Sequence, residues 1–480
     1  MSAPAEKRID FAGMWQAIGP RFLPFADAAS EGLPLDRLLR LSLFQVSVGM
    51  AMVLLTGTLN RVMILELGVP TSLVALMVAI PVLAAPFRVL IGHRSDTYRS
   101  VLGWRRVPYI WLGTLIQWAG LGIMPFALLL LQSQTSGPQW AGPVAAALAF
   151  LLTGIGMHMS QTAGLALATD LADPARRPRV IALFYVMLLI GMIAAALAFS
   201  VLLADFTPMR LIQVIQGSAV VTLVLNVVAM WKQEKRNPVA TRAGRDTPSL
   251  KAALAEYRAD PRATRLLVAV ALGSAAFAMQ DVLLEPFGGE ILSMTVGQTT
   301  LLTALWALGA LAGFAWAARM LERGANLYRV AGGGALIGIF AFSTLVFAAP
   351  LQSEGLLHTG AFLIGAGGGL FAVGTMLAAM EIAETSDSGL AIGAWGAVQA
   401  TAIGVALAFG GGIRDIISTL AASGSLGEAL NSPATGYIVV YHIEIGLLFV
   451  SLAALGPLVG RAGRNARNPD KRFGLAELPV

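Results

Sequence analysis

The chain is 480 residues long, 56% hydrophobic and only 12% charged, with a mean hydropathy of +0.73. Soluble domains carry about 25% charged residues, so a surface facing water over most of its area is excluded. There is no cysteine, hence no disulfide, thiolate metal site or cysteine nucleophile, and the net charge of +6 is what a membrane protein gathers on its cytoplasmic side rather than a sign of nucleic acid.

Residues 1–40 carry Lys7, Arg8, Asp10, Arg21, Asp27, Arg37 and Arg40 before the first long apolar run, unlike a cleaved signal. Phe11, Met14, Trp15, Ile18 and Phe22 recur at helical spacing. This reads as an amphipathic segment at the cytoplasmic interface, with a disordered tail as the alternative. A spanning helix needs about 20 mostly apolar residues. Breaks at charges, prolines and polar loops predict spans near 41–64, 71–91, 107–131, 141–168, 180–204 and 211–231. After the polar stretch 232–265 follow 266–288, 297–320, 330–350, 358–380, 390–416 and 437–460, then a tail over 461–480. With the N-terminus inside, every Lys and Arg except Arg61, Arg210 and Arg414 falls on the cytoplasmic side, so both termini are expected there.

The central polar stretch divides twelve spans into an N-terminal bundle, 41–231, and a C-terminal bundle, 266–460. Weak self-similarity supports that division. Gly92-x-x-x-Asp96 with Arg105 and Arg106 follows span two, and Ala318-x-x-x-Glu322-Arg323 follows span eight. Asp170 ends span four as Glu381 ends span ten. The expected fold is all-α, two pseudo-symmetric six-helix bundles, and the Gly/Asp/Arg loop resembles the signature of the major facilitator superfamily. Gly334-x-x-x-Gly338 and Gly365-x-x-x-Gly369 lie inside apolar spans without a preceding strand, so they read as close-packing faces rather than nucleotide loops.

Ionisable groups at membrane depth default to functional hypotheses. Asn60, Arg61 and Glu66 end span one; Gln280, Asp281, Glu285 and Glu290 end span seven, the equivalent position in the second half. A pair between Arg61 and an acid of span seven, Asp281 or Glu285, is expected either to gate the outer face or to lock two helices. His158 lies near mid-bilayer, with Gln161 and Thr162 on its helical face. It is a hydrogen-bonded core residue, a proton relay or an axial ligand to a metal-bearing pigment. His442, in span twelve, is two residues from Glu444 and faces another way. Trp104, Trp111 and Trp118 recur every seven residues, as a membrane anchor or a partner-facing stripe. No His-x-x-x-His pair, serine elbow or Asp-rich loop argues for catalysis.

Four stretches together are more specific: LNRVMILELGVP (59–70), PFRVLIGHRSDTYRSVLGWRRVPYIW (86–111), HMSQTAGLALATDLADPARRPRV (158–180) and MQDVLLEPFGGEIL (279–292). They resemble the PucC/LhaA family, the bacteriochlorophyll-delivery branch of the major facilitators, over about residues 40–460, with the long tails nearer the LhaA side. The resemblance implies a non-enzymatic assembly factor of the photosynthetic membrane of purple bacteria. It would bind or deliver bacteriochlorophyll, with carotenoid or lipid as further ligands, and chaperone light-harvesting 1 antenna polypeptides around the reaction-centre complex. It sets pigment ligation beside the core reading for His158, but carries over no pigment ligand of its own; Gln161 and His442 are further candidates on the residues alone. The alternative is a proton-coupled transporter of a small solute using Asp281, Glu285 or Glu444, against which the expected sparseness of polar groups at mid-depth argues.

Overall fold

A computed structural model describes residues 28–29, 33–85, 104–132, 138–173, 176–234, 261–382 and 388–465. Among these residues the secondary structure is helical throughout. Eleven helices are long and apolar enough to cross a membrane, and a shorter apolar helix, Thr71–Leu83, occupies the place of the second span. In chain order α1 is Leu35–Glu66, α2 Thr71–Leu83, α3 Val107–Leu131, α4 Ala141–Leu171, α5 Arg177–Leu202 and α6 Pro208–Met230. The second half begins with α7, made of Pro261–Ala278, a 3-10 turn at Met279–Val282 and a last segment Leu284–Ile291. It continues with α8 (Val296–Glu322), α9 (Leu327–Ala348), α10 (Glu354–Ile382), α11 (Ser388–Ala422) and α12 (Thr435–Asn465). The end where α1 finishes and α2 starts is called distal, and the opposite end proximal.

Several helices overrun the predicted spans because charge marks the edge of the lipid, not the edge of the helix. Leu35–Arg40, assigned above to the N-terminal segment, are the first turns of α1. Arg37 there donates to the Gln233 side chain (3.0 Å), a fully buried residue just past α6. The aromatic residues expected to form the interfacial segment, and most of the central stretch, lie outside the described residues.

Each half has its own apolar core. Glycines set the closest approaches: a Cβ at Gly334 of α9 would come 2.5 Å from the Gly367 carbonyl of α10, and one at Gly369 would come 2.9 Å from the Ala310 carbonyl of α8. The glycine clusters are therefore packing faces, as expected. Between the halves, α2 lies along α11, α5 along α8, and the distal part of α1 against α7. The α5–α8 seam is equally tight, since a Cβ at Gly297 would come 2.5 Å from the Ser200 carbonyl. The first core accordingly takes in Val282, Val296, Ala304 and Leu407 from the second half.

Candidate functional site

The two irregular helices meet each other. In α1, π-helical turns at Val53–Thr58 and Val62–Glu66 flank a short α-helical stretch, and such turns inside α-helices recur at functional sites. Locally, Thr56, Gly57, Thr58 and Asn60 are weak helix formers, and Thr56 returns its hydroxyl to the Met52 carbonyl (2.9 Å). In α7 the break precedes Pro286. Proline has no N–H, so the Val282 carbonyl four residues earlier loses its helical partner. The fully buried Asn60 supplies the replacement, donating Nδ2 to Val282 O at 3.0 Å across the halves. Thr58 and Thr300 add a hydroxyl pair at 3.3 Å.

Around this crossing lie the expected polar residues, in a different pairing. Arg61, 5% exposed, makes its ion pair with Glu66 of its own helix (2.7 Å) and donates to the Met294 carbonyl (3.1 Å). The expected pair with Asp281 or Glu285 is not formed. A separation of five residues does not align on a regular α-helix; the π-turn brings Arg61 and Glu66 together. Glu285 instead accepts from Thr303 Oγ1 (2.7 Å), and Gly57 leaves the room its carboxylate occupies. Asp281 accepts from the neighbouring Gln280 amide. Because α7 continues to Ile291, Asp281 sits about 15 Å inside its distal end at 1.5 Å per residue, not at the membrane edge. Glu444 of α12, fully buried, lies against the same turn. Mid-depth is therefore richer in acids than the sequence suggested. A cavity of about 70 Å³ is lined by Thr56, Gln280, Asp281, Glu285, Thr303 and Trp306, among others.

The distal end carries a second cross-half network. Arg414 binds Glu290 (2.5 Å) and Asp415 (3.2 Å) and reaches Thr71 Oγ1 of α2 (3.1 Å). Asp415 accepts from the Ser72 backbone N–H (2.7 Å), capping the start of α2. Tyr437 donates to Glu290 (2.6 Å) and lies under the Arg414 guanidinium. In the sequence Glu290 stands with the polar end of span seven, and the only signal for its partner Arg414 is that it breaks the charge bias.

The histidines separate. His158 is half-buried and places Nε2 3.1 Å from the Pro81 carbonyl, one of the last carbonyls of α2, which lack helical donors. Gln161 donates to Gln45 (3.1 Å) within the first half. His442 is exposed on the outer face of α12. Its Nδ1 lies 2.7 Å from the Ile438 carbonyl one turn back, so Nδ1 donates there and Nε2 is turned away from the helix backbone. Gly446, the next exposed residue on that face, has open space around it, and Phe449 and Val450 continue the stripe. Trp111 and Trp118 likewise point outward from α3.

Of the loop signature, Gly92 and Asp96 lie outside the described residues. Arg106 binds Asp170 (3.0 Å). The backbone N–H groups of Arg105, Arg106 and Val107, at the start of α3, converge on the Glu234 carboxylate (2.6, 3.0 and 2.9 Å), a helix N-terminal anion contact that was not anticipated. Glu381 is exposed at the end of α10. A crevice of about 500 Å³ opens between α1, α3 and α6 at the distal end, lined by Val62, Glu66, Pro125, Leu129 and Leu211 among others.

Two pseudo-equivalent halves, glycine-lined seams and irregular first helices define a multi-pass membrane protein of the major facilitator fold. The chain resembles a bacterial homologue of the human lysosomal transporter Spinster, solved inward-facing and unoccupied, with a TM-score of 0.66 at 16% identity over 90% of this chain and 98% of that one. The family model described as PUCC protein matches residues 58–463, and the chain belongs to that family. It is 56% identical to an uncharacterized protein in the puhA-bchM intergenic region of Rhodobacter capsulatus, over 96% of this chain and 97% of that protein. It is also 56% identical to Protein PucC of Rhodovulum sulfidophilum, over 83% and 89% respectively. At 29% identity it matches a protein named bacteriochlorophyll synthase 44.5 kDa chain from Rhodobacter capsulatus, over 88% and 98%.

Proposed function

We propose that this chain is an assembly factor for the light-harvesting 1 antenna, handling bacteriochlorophyll while antenna helices are held beside it. The observation that carries the reading is His442. Large metallo-tetrapyrroles need one axial donor and a flat apolar bay, and the outward Nε2 beside Gly446 offers both on the lipid face of α12. At His158 the metal would compete with the bond to Pro81 O. The cavity at the α1–α7 crossing, about 70 Å³, is too small for a macrocycle, and on this reading the pigment is handled from the membrane side. The family relatives, named for PucC and for bacteriochlorophyll synthase, support the photosynthetic setting.

On this reading the chain does no bond chemistry of its own: His442 orients and holds, the exposed apolar stripes of α3 and α12 present surface to lipid and antenna helices, and both termini lie in the cytoplasm. Deleting the gene from its host should lower the light-harvesting 1 band severalfold relative to the reaction-centre band, with pigment synthesis continuing. An unchanged ratio of the two bands would overturn the proposal.

A further inference from the structure

The distal crevice between α1, α3 and α6 opens where two helices part. Asn226 of α6 donates to Thr114 of α3 (2.9 Å), and nearer the distal end Gln216 donates to the Gly122 carbonyl (3.1 Å). Beyond Gly122, Pro125 lies inside α3 and Pro208 begins α6. The space of about 500 Å³ is walled by Val62, Leu129, Leu211 and Phe206 among others. Leu129 is exposed, as are Phe126 and Met209, which follow Pro125 and Pro208, so the mouth faces lipid rather than water. Glu66 is the one charged side chain in its lining, and Gln132 is the other polar one. Arg61 holds Oε1 of Glu66 (2.7 Å) and fixes the carboxylate in place. No partner is bound to Oε2. Arg61 stays behind it: its Nε is buried against Gly289 of α7 without a partner, and its second amino group donates to the Met294 carbonyl.

The surrounding backbone has the same sign. α1 ends at Glu66 and α3 at Leu131, so two helix C-termini, whose last carbonyls lack helical donors and favour cations, meet at the crevice. The helix that starts there offers an anion little. Pro208 has no N–H, Thr207 accepts from the Arg210 N–H (3.1 Å), and the Arg210 side chain is held by Asp205 (3.2 Å). We infer that the crevice binds a phospholipid with a primary ammonium headgroup, of the phosphatidylethanolamine type. The ammonium sits on Glu66 and the helix-end carbonyls, and the start of an acyl chain lies between Leu129 and Leu211. An ammonium brings three N–H donors to these acceptors; a quaternary headgroup brings none, and an anionic one meets the carboxylate. The site is independent of the pigment reading. Because Glu66 also fixes Arg61, which bonds the Met294 carbonyl of the second half, the bound headgroup steadies the joint between the halves.

Native mass spectrometry of the full-length, delipidated protein tests the site. The protein is incubated with equal amounts of phosphatidylethanolamine, phosphatidylcholine and phosphatidylglycerol bearing the same chains. The wild type should retain the first severalfold over the other two. Glu66→Gln should abolish the preference, and so should Leu129→Trp, which fills the crevice and leaves the Arg61–Glu66 pair intact. Gly217→Leu, on the exposed face of α6 with open surroundings, should keep it. Equal retention of the three lipids by the wild type, a preference for either of the others, or a preference that survives Leu129→Trp would each overturn the assignment. Added phosphatidylethanolamine should also raise the thermal unfolding midpoint of the wild type and leave that of Leu129→Trp in place; equal shifts would overturn the link to the joint between the halves.

Discussion

Asn60 and Pro286 act as one device although they belong to different halves. Proline withholds a donor, the Val282 carbonyl is left open, and the asparagine fills it. Asn60→Ala should therefore strand a buried carbonyl and cost about 1–3 kcal/mol, seen as a lower midpoint in thermal unfolding of the detergent-solubilised protein. Pro286→Ala restores the helical N–H, so adding it to Asn60→Ala should recover part of that loss. Absence of any coupling between the two substitutions would separate them. This pairing was legible in principle, since Pro286 stands four residues after Val282. The expected pair of Arg61 with Asp281 or Glu285 rests on two ends of equal height, which do not say which acid a guanidinium reaches. Glu66, on the same helix, was nearer once the π-turn is allowed for. For His442 the sequence shows only a histidine in an apolar span; its exposure and the 2.7 Å contact to Ile438 need the fold.

The elements most faithful to the sequence are those whose signal is apolar length and small-residue spacing. Gly334, Gly338, Gly365 and Gly369 could be read as packing faces because nothing else explains small residues at that interval in lipid. The breaks in α1 and α7 are different. Hydropathy does not register a π-turn or a 3-10 turn, and only Pro286 and the Thr-Gly-Thr run hinted at them. Equivalent interruptions in the first helix of each half mark the place where such folds bind ligands, and here they gather Asn60, Asp281 and Glu285. At this scale Gly297 is the sharpest probe. Gly297→Leu would drive a side chain into the Ser200 carbonyl across the α5–α8 seam. It should lower the yield of monodisperse protein in size-exclusion chromatography severalfold, whereas Gly217→Leu, at a glycine with open surroundings, should leave it unchanged.

For the whole molecule, twelve predicted spans correspond to eleven long helices and the shorter α2 among the described residues. The cross-half bonds of Asn60, Arg61, Thr58, Ser72 and Arg414 hold the halves together at the distal end. The orientation expected from Lys and Arg would make that end periplasmic. A bundle latched there, with a histidine turned outward on α12, suits the proposal that pigment is served from the lipid face. The central claim is that bacteriochlorophyll is held at His442. An absorption spectrum of the gently purified protein tests it most directly: a near-infrared bacteriochlorophyll band should accompany the wild-type chain, persist in His158→Leu and fall severalfold in His442→Leu at equal protein yield. A wild-type protein without the band, or a band unaffected by His442→Leu, would contradict the account.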